Sequence, residues 1–199
     1  MSVNAEFKPG GLALFGGTFD PLHIGHCIIA QTAWEQFGLS KVVFIPCYQS
    51  PHKPGIRTAP IEDRLAMLQG ALEGLSWAEV SDFEISKSEP SFSVETAEWF
   101  AARNPGVPLY WILGNDQWEV IEKWKDYQRL AELVTFIVFP RPGVPLEKKG
   151  MRHLQLGTRV DISASMVRDL IRKGQPFHFF VPSSVYAHIR KNGLYSYES

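Results

Sequence analysis

Cysteine, long apolar runs and an excess of either charge are all scarce in this chain. Its two cysteines, Cys27 and Cys47, are spaced like no common zinc pattern, which argues against a disulfide or zinc framework and reads as two reduced thiols. The greasiest stretch, Leu133 to Phe139, falls well short of the roughly 20 residues a membrane span needs. Met1 to Gly10 holds no apolar segment of signal-peptide length, so a cytoplasmic location is expected. Twenty basic residues against 21 acidic ones give a net charge of −1, which argues against broad binding to a nucleic-acid backbone. No linker, composition shift or internal repeat divides the sequence, and one domain over residues 1–199 is expected. At 45% hydrophobic and 21% charged the chain is neither disordered nor fibrous.

Short apolar runs alternate with helix-period segments. Leu12–Phe15 reads as a buried strand closed by Gly16 and Gly17, and apolar residues at 24, 28, 30, 33, 34 and 37 follow helical spacing up to Gly38. Val42–Ile45 is the next strand. Pro60 opens a helix, Glu79–Ile85 alternates like a strand, and Ser93–Arg103 is a helix with Ser93 as its expected N-cap. Leu109–Leu113 and Thr135–Phe139 read as buried strands, with two short helices around Trp124 between them. A helix capped by Ser163 or Ser165 and another over Pro182–Lys191 close the chain. The alternation predicts an α/β fold: one doubly wound, mostly parallel, Rossmann-like sheet with helices on both faces and ligands at the strands' carboxyl ends.

Two segments carry chemistry. Between the first strand and first helix runs Gly16-Gly17-Thr18-Phe19-Asp20-Pro21-Leu22-His23-Ile24-Gly25-His26. Glycines that admit close backbone approach, followed by a helix start with unpaired N–H groups, make an anion site. It is neither a dinucleotide G-x-G-x-x-G nor a P-loop. His23 and His26, three apart on one helix face, can donate hydrogen bonds to charge developing on phosphoryl oxygens. With Cys27 they lack the further ligand that would complete a zinc set, and no metal site is expected. Downstream, Ile162-Ser163-Ala164-Ser165-Met166-Val167-Arg168 opens a helix whose hydroxyls, N–H groups and guanidinium form a second anion cradle. Asp116, after Gly114 at a strand's carboxyl end, can hold ribose hydroxyls.

These residues resemble the nucleotidylyltransferase superfamily, whose signature is Gly-Gly-Thr-Phe-Asp-Pro-x-His-x-Gly-His together with Ile-Ser-x-Ser/Thr-x-x-Arg. Class I aminoacyl-tRNA synthetases share His-Ile-Gly-His, but the Lys-Met-Ser-Lys-Ser loop they pair with it is missing here. Pro51-His52-Lys53, Pro90-Ser91-Phe92-Ser93, Gly114-Asn115-Asp116, Trp124, Arg141-Pro142-Gly143 and Gly193-Leu194-Tyr195 are similar, in order and spacing, to the bacterial nicotinate-mononucleotide adenylyltransferases. The resemblance implies ATP and nicotinate mononucleotide as substrates, Mg²⁺ carried with ATP, and deamido-NAD and pyrophosphate as products in NAD biosynthesis. It implies His23, His26 and Arg168 in catalysis, and Gly16, Gly17, Thr18, Phe19, Gly114, Asp116, Ser163 and Ser165 around ATP. Lys53, Ser93, Thr96, Trp124, Lys125 and Arg141 would meet the mononucleotide, with Trp124 stacked on the pyridine. Nicotinamide mononucleotide or phosphopantetheine as acceptor, or a nucleotide sensor without turnover, are the alternatives; the oligomeric state is left open. Phe92, Ser93 and Lys125 depart from the family's usual Tyr, Thr and aromatic residue, and Lys125 is read as a cation offered to the nicotinate carboxylate.

Overall fold

The computed structural model describes residues 8–49, 58–87, 89–140 and 146–196. Within them the chain runs β1 (Leu12–Gly17), α1 (Ile24–Gln36), β2 (Lys41–Pro46), α2 (Ile61–Leu72), β3 (Ala78–Val80), α3 (Ser93–Arg103) and β4 (Leu109–Gly114). It continues through α4 (Asn115–Glu119), α5 (Tyr127–Leu133), β5 (Val134–Phe139), β6 (His153–Gln155), α6 (Ala164–Arg172) and α7 (Ser183–Asn192). Every strand pairing is parallel, in the order β3-β2-β1-β4-β5-β6. The chain winds from β1 out to one edge and returns beside β1 to build the other half, so the switch point of this doubly wound sheet lies between β1 and β4.

Period-2 alternation gives each strand two buried faces. Ala13, Phe15, Val42, Phe44, Tyr110, Ile112, Ile137 and Phe139 pack with residues of α1, α2, α6 and α7. Leu12, Leu14, Val43, Ile45, Leu109, Trp111, Leu113 and Phe136 pack on the other side with α3, α4 and α5. Burial of such a side chain stabilises the fold by about 1.5–3 kcal/mol.

One irregularity of the ladder positions everything that follows. β1 pairs with β2 as far as Gly17↔Pro46, and β4 with β5 as far as Gly114↔Phe139. Between β1 and β4 the register stops at Leu14↔Trp111, three residues short of either carboxyl end. The sheet therefore parts along its central seam and leaves a crevice at the switch point.

Local departures from the sequence reading have physical causes. Where a strand was expected over 79–85, only Glu79 and Val80 of it pair, in a strand that begins one residue earlier at Ala78; beyond it, Ser81 Oγ accepts from Phe83 N at 3.3 Å and Ser86 N donates to Asp82 O at 2.9 Å, so turn chemistry overrides alternation. Ser93 is not the N-cap of α3: Phe92 holds that place with extended dihedrals, its carbonyl accepting from Glu95 N and Thr96 N, and Ser93 is the first helical residue. Of the stripe expected at 24, 28, 30, 33, 34 and 37, Ala30, Ala33 and Phe37 are buried, while Ile28 is exposed and Ile29 takes the inward place beside it. β6 went unread because three residues among polar neighbours carry no period. Ser163, of the two candidates, caps α6 by accepting from Met166 N at 3.2 Å.

Candidate active site

The loop leaving β1 is shaped by three glycines and one strained aromatic. A Cβ on Gly16 would lie 3.1 Å from the Trp111 ring, one on Gly17 3.1 Å from the Phe19 ring, and one on Gly25 2.9 Å from Nδ1 of His23. Phe19 adopts the left-handed region at φ 49°, a conformation that costs an L-residue energy and persists only when its surroundings over-determine it. Here the ring is 2% exposed and meets Phe15, Phe44 and His26 at centroid distances of 5.6, 5.7 and 5.0 Å. Phe19 is thus an anchor packed in the core; only its backbone is offered to a ligand.

His23 is the N-cap residue of α1 and is buried; His26, one turn on, stacks against it at 3.7 Å between ring centroids. The His23 backbone N–H donates to Nδ1 of His26 at 3.3 Å. With Nδ1 accepting, a neutral His26 carries its proton on Nε2 and presents it as a donor. Gly25 lets the two rings close: any larger residue there would meet the His23 imidazole.

A cavity of about 580 Å³ fills the parted seam, a volume suited to a small-molecule site. Gly16, Gly17, Thr18, His23 and His26 are among its lining residues. Ser93, Trp124 and Lys125 line the same cavity, as do Gly114 and Asp116. Asp116 is turned back so closely that a Cβ on Gly114 would collide with its Oδ1, which explains the glycine before it.

Other expected residues sit elsewhere. Arg168, Ser163 and Ser165 do not line this cavity; Ser163 and Ser165 hydroxyls lie 3.0 Å apart at the start of α6, and Arg168 Nη1 donates to the carbonyl oxygen of Asp20 at 2.6 Å. Thr96, expected beside the pyridine, is corrected: it is fully buried, outside the lining, and donates from Oγ1 to Oε1 of Glu84 at 2.6 Å. Lys53 and Arg141 lie outside the described residues. Lys125 Nζ sits 2.9 Å from Glu95 Oε1 and 4.4 Å from the centroid of the Phe92 ring, and Lys87 reaches the other oxygen of Glu95 at 3.3 Å. Two ammonium groups on one carboxylate leave a positive excess at this rim, and they hold the Glu95 carboxyl below its usual range.

Sequence reasoning did not single out Glu84 or Arg64. Glu84 lines the cavity at 4% exposure, and burial pushes its carboxyl up despite the hydrogen bond from Thr96. Its only sequence signal is an acidic residue within an alternating stretch. Arg64, 1% exposed, donates to the carbonyls of Thr18, Cys47, Tyr48 and Ala59, tying the loop after β1 to that after β2. Cys27 packs against the apolar cluster, where burial pushes its thiol up to about 11. No group of three or more His, Cys, Asp or Glu side chains that could hold a metal ion occurs among the described residues, and no described helix is long and apolar enough to cross a membrane.

A parallel sheet parted at its switch point, with stacked histidines at a glycine-turned helix start, defines a nucleotidylyltransferase, and the cytidylyltransferase-like family profile matches residues 14–170. The fold is shared with the nicotinic acid mononucleotide adenylyltransferase of Plasmodium falciparum in its complex with NaAD: TM-score 0.79, 18% identity, 94% of this chain and 98% of that one. The probable nicotinate-nucleotide adenylyltransferase of Methylacidiphilum infernorum is 39% identical over 186 residues, 92% of this chain and 91% of its own. That of Opitutus terrae is 38% identical over 189 residues, 92% of this chain and 97% of its own. This chain belongs to the nicotinate-nucleotide adenylyltransferase family.

Proposed function

We propose that this enzyme transfers AMP from ATP to nicotinate mononucleotide, giving deamido-NAD and pyrophosphate in NAD biosynthesis. The observation that carries the reading is one cavity lined both by a histidine pair at a glycine-turned anion site and by Trp124. An oxygen of the mononucleotide phosphate attacks the α-phosphorus of ATP in line, the bond from that phosphorus to the β-bridging oxygen breaks, and pyrophosphate leaves. The attacking phosphate is already a competent nucleophile, so catalysis is positioning and charge stabilisation without a covalent enzyme intermediate.

His26, donating from Nε2, and His23 stabilise the α-phosphoryl oxygens as charge develops. The backbone of Gly16–Phe19, with Ser163, Ser165 and Arg168 at the start of α6, holds the triphosphate. Mg²⁺ carried with ATP would neutralise charge on the leaving pyrophosphate. Asp116 accepts from ribose hydroxyls beside Gly114. Trp124 stacks on the pyridine, Ser93 lies at the ring's edge, and the positive excess at Lys125 favours the acid over the amide. Lys53 and Arg141 are assigned to the mononucleotide phosphate from the family pattern alone. The test is pyrophosphate release from MgATP with nicotinate mononucleotide, nicotinamide mononucleotide or 4′-phosphopantetheine supplied in parallel. Strong preference for the first is expected; ATP binding without turnover on any of the three would overturn the reading.

A further inference from the structure

One buried network joins the end of the described chain to the loop after β1. Asp20, 4% exposed, accepts at Oδ1 from the hydroxyl of Tyr195 at 2.8 Å and from the backbone N–H of Ala59 at 3.1 Å. Its Oδ2 lies 3.7 Å from Nη1 of Arg168, the same nitrogen that donates to the Asp20 carbonyl. Arg168 thus spends one nitrogen on Asp20. Its remaining edge, Nε and Nη2, makes no hydrogen bond to any described residue, and this is the planar fork that grips two oxygens of a phosphate.

Tyr195 follows the left-handed glycine that ends α7 and is itself left-handed at φ 63°, a conformation uncommon for a bulky residue. Its ring packs against the apolar cluster and its hydroxyl is turned inward onto a carboxylate. Burial and the Asp20 charge push that hydroxyl far above the ordinary tyrosine range, so it stays protonated and donates throughout the working pH. A surface chain end has no need of a strained residue donating to a buried anion. An arginine that must hold its fork at one angle does, because a free side chain of this length loses rotamer freedom on binding.

We propose that Tyr195 and Asp20 are positioning residues for Arg168: the segment Gly193–Tyr195 docks onto Asp20, and Asp20 in turn fixes the guanidinium that receives the ATP triphosphate. The proposal rests on the adenylyl-transfer reading and extends it to residues remote from the cavity. It gives the chain's Gly193-Leu194-Tyr195 motif a task, that of completing the triphosphate end of the site from outside.

The experiment measures MgATP affinity by calorimetry, and steady-state KM for both substrates, in the wild type, Tyr195→Phe, Arg168→Ala and the double variant. Tyr195→Phe should weaken ATP binding about tenfold, the scale of one lost charge-assisted hydrogen bond. The KM for the mononucleotide should stay within about twofold. In the Arg168→Ala background the same change should alter ATP affinity less than about twofold, because the effect acts through Arg168. Additive effects, equal losses for both substrates, or unchanged ATP affinity in Tyr195→Phe would each overturn the proposal. Should Tyr195→Phe not fold, Asp20→Asn, which keeps the acceptor for Tyr195 and removes the charge facing Arg168, decides by the same pattern. Calorimetry needs no acceptor, so a wild type that binds ATP but ignores nicotinate mononucleotide sinks the acceptor assignment and still tests the positioning role.

Discussion

His26 illustrates how a single backbone contact sets chemistry. Because the His23 N–H fills its Nδ1, the ring's donor is directed from Nε2, and removing the ring removes one preorganised donor from the phosphoryl oxygens. Loss of one such donor costs about 10²–10³ in turnover, and His26→Ala should fall in that range in a pyrophosphate-release assay; a loss under about tenfold would remove it from the mechanism. Elsewhere in the cavity lining, Lys125 shares Glu95 with Lys87, so only part of its charge is spent within the protein. Lys125→Ala should lower the ratio of kcat/KM for nicotinate over nicotinamide mononucleotide by about two- to fivefold, as fits one exposed ion pair. An unchanged ratio would take selectivity away from this residue.

At the scale of elements, the decisive contact is between α3 and the turn that follows β3. Thr96, on the buried face of α3, donates a hydrogen bond from its hydroxyl to the Glu84 carboxyl, and Ser91 Oγ donates to the Glu84 carbonyl at 3.4 Å. Together they fasten the 84–93 segment, which carries Ser93 to the cavity wall. Thr96→Val keeps the shape and removes the nearest donor, leaving the buried carboxyl one hydrogen bond short; it should destabilise the protein by about 1–3 kcal/mol in denaturant titration. The sequence showed Thr96 near the site but not its direction. One helical residue faces ligand or core according to where the first turn begins, and that start lies at Phe92, one residue before the polar cap that Ser93 promised. Gly16, Gly17 and Gly25 were more legible, since a Cβ at each would press on an aromatic or imidazole ring.

Over the whole molecule, the doubly wound sheet could be read because its long strands are continuous apolar runs buried on both faces, as β1, β2, β4 and β5 are. Of the three-residue edge strands, β3 was read with its end placed too far along and β6 went unread, because neither is long enough to carry a period of its own. The two helix-start motifs were legible because they are local, whereas the Glu84–Thr96 and Asp20–Tyr195 contacts join residues 12 and 175 positions apart, a juxtaposition no local pattern encodes. Global stability should carry the mark of Glu84. Its folded carboxyl titrates above the ordinary value of 4.5, so the folded state binds more protons than the unfolded one in that interval. Stability is therefore fully present below the ordinary value and declines as pH rises through the raised one. Thermal melts of Glu84→Gln, which cannot ionise, should lack that decline; an identical pH profile in both proteins would assign it to other groups.

The early end of the β1–β4 ladder also bears on how the molecule breathes. Two neighbouring strands that share hydrogen bonds only from Leu12↔Leu109 to Leu14↔Trp111 form a hinge at the amino end of the seam and a slit at the other. Deuterium should enter the amides bordering that slit well before those of the β1–β2 and β4–β5 pairings, and a nucleotide seated in it should slow the uptake by replacing the missing cross-strand partner. In that sense the substrate finishes the sheet.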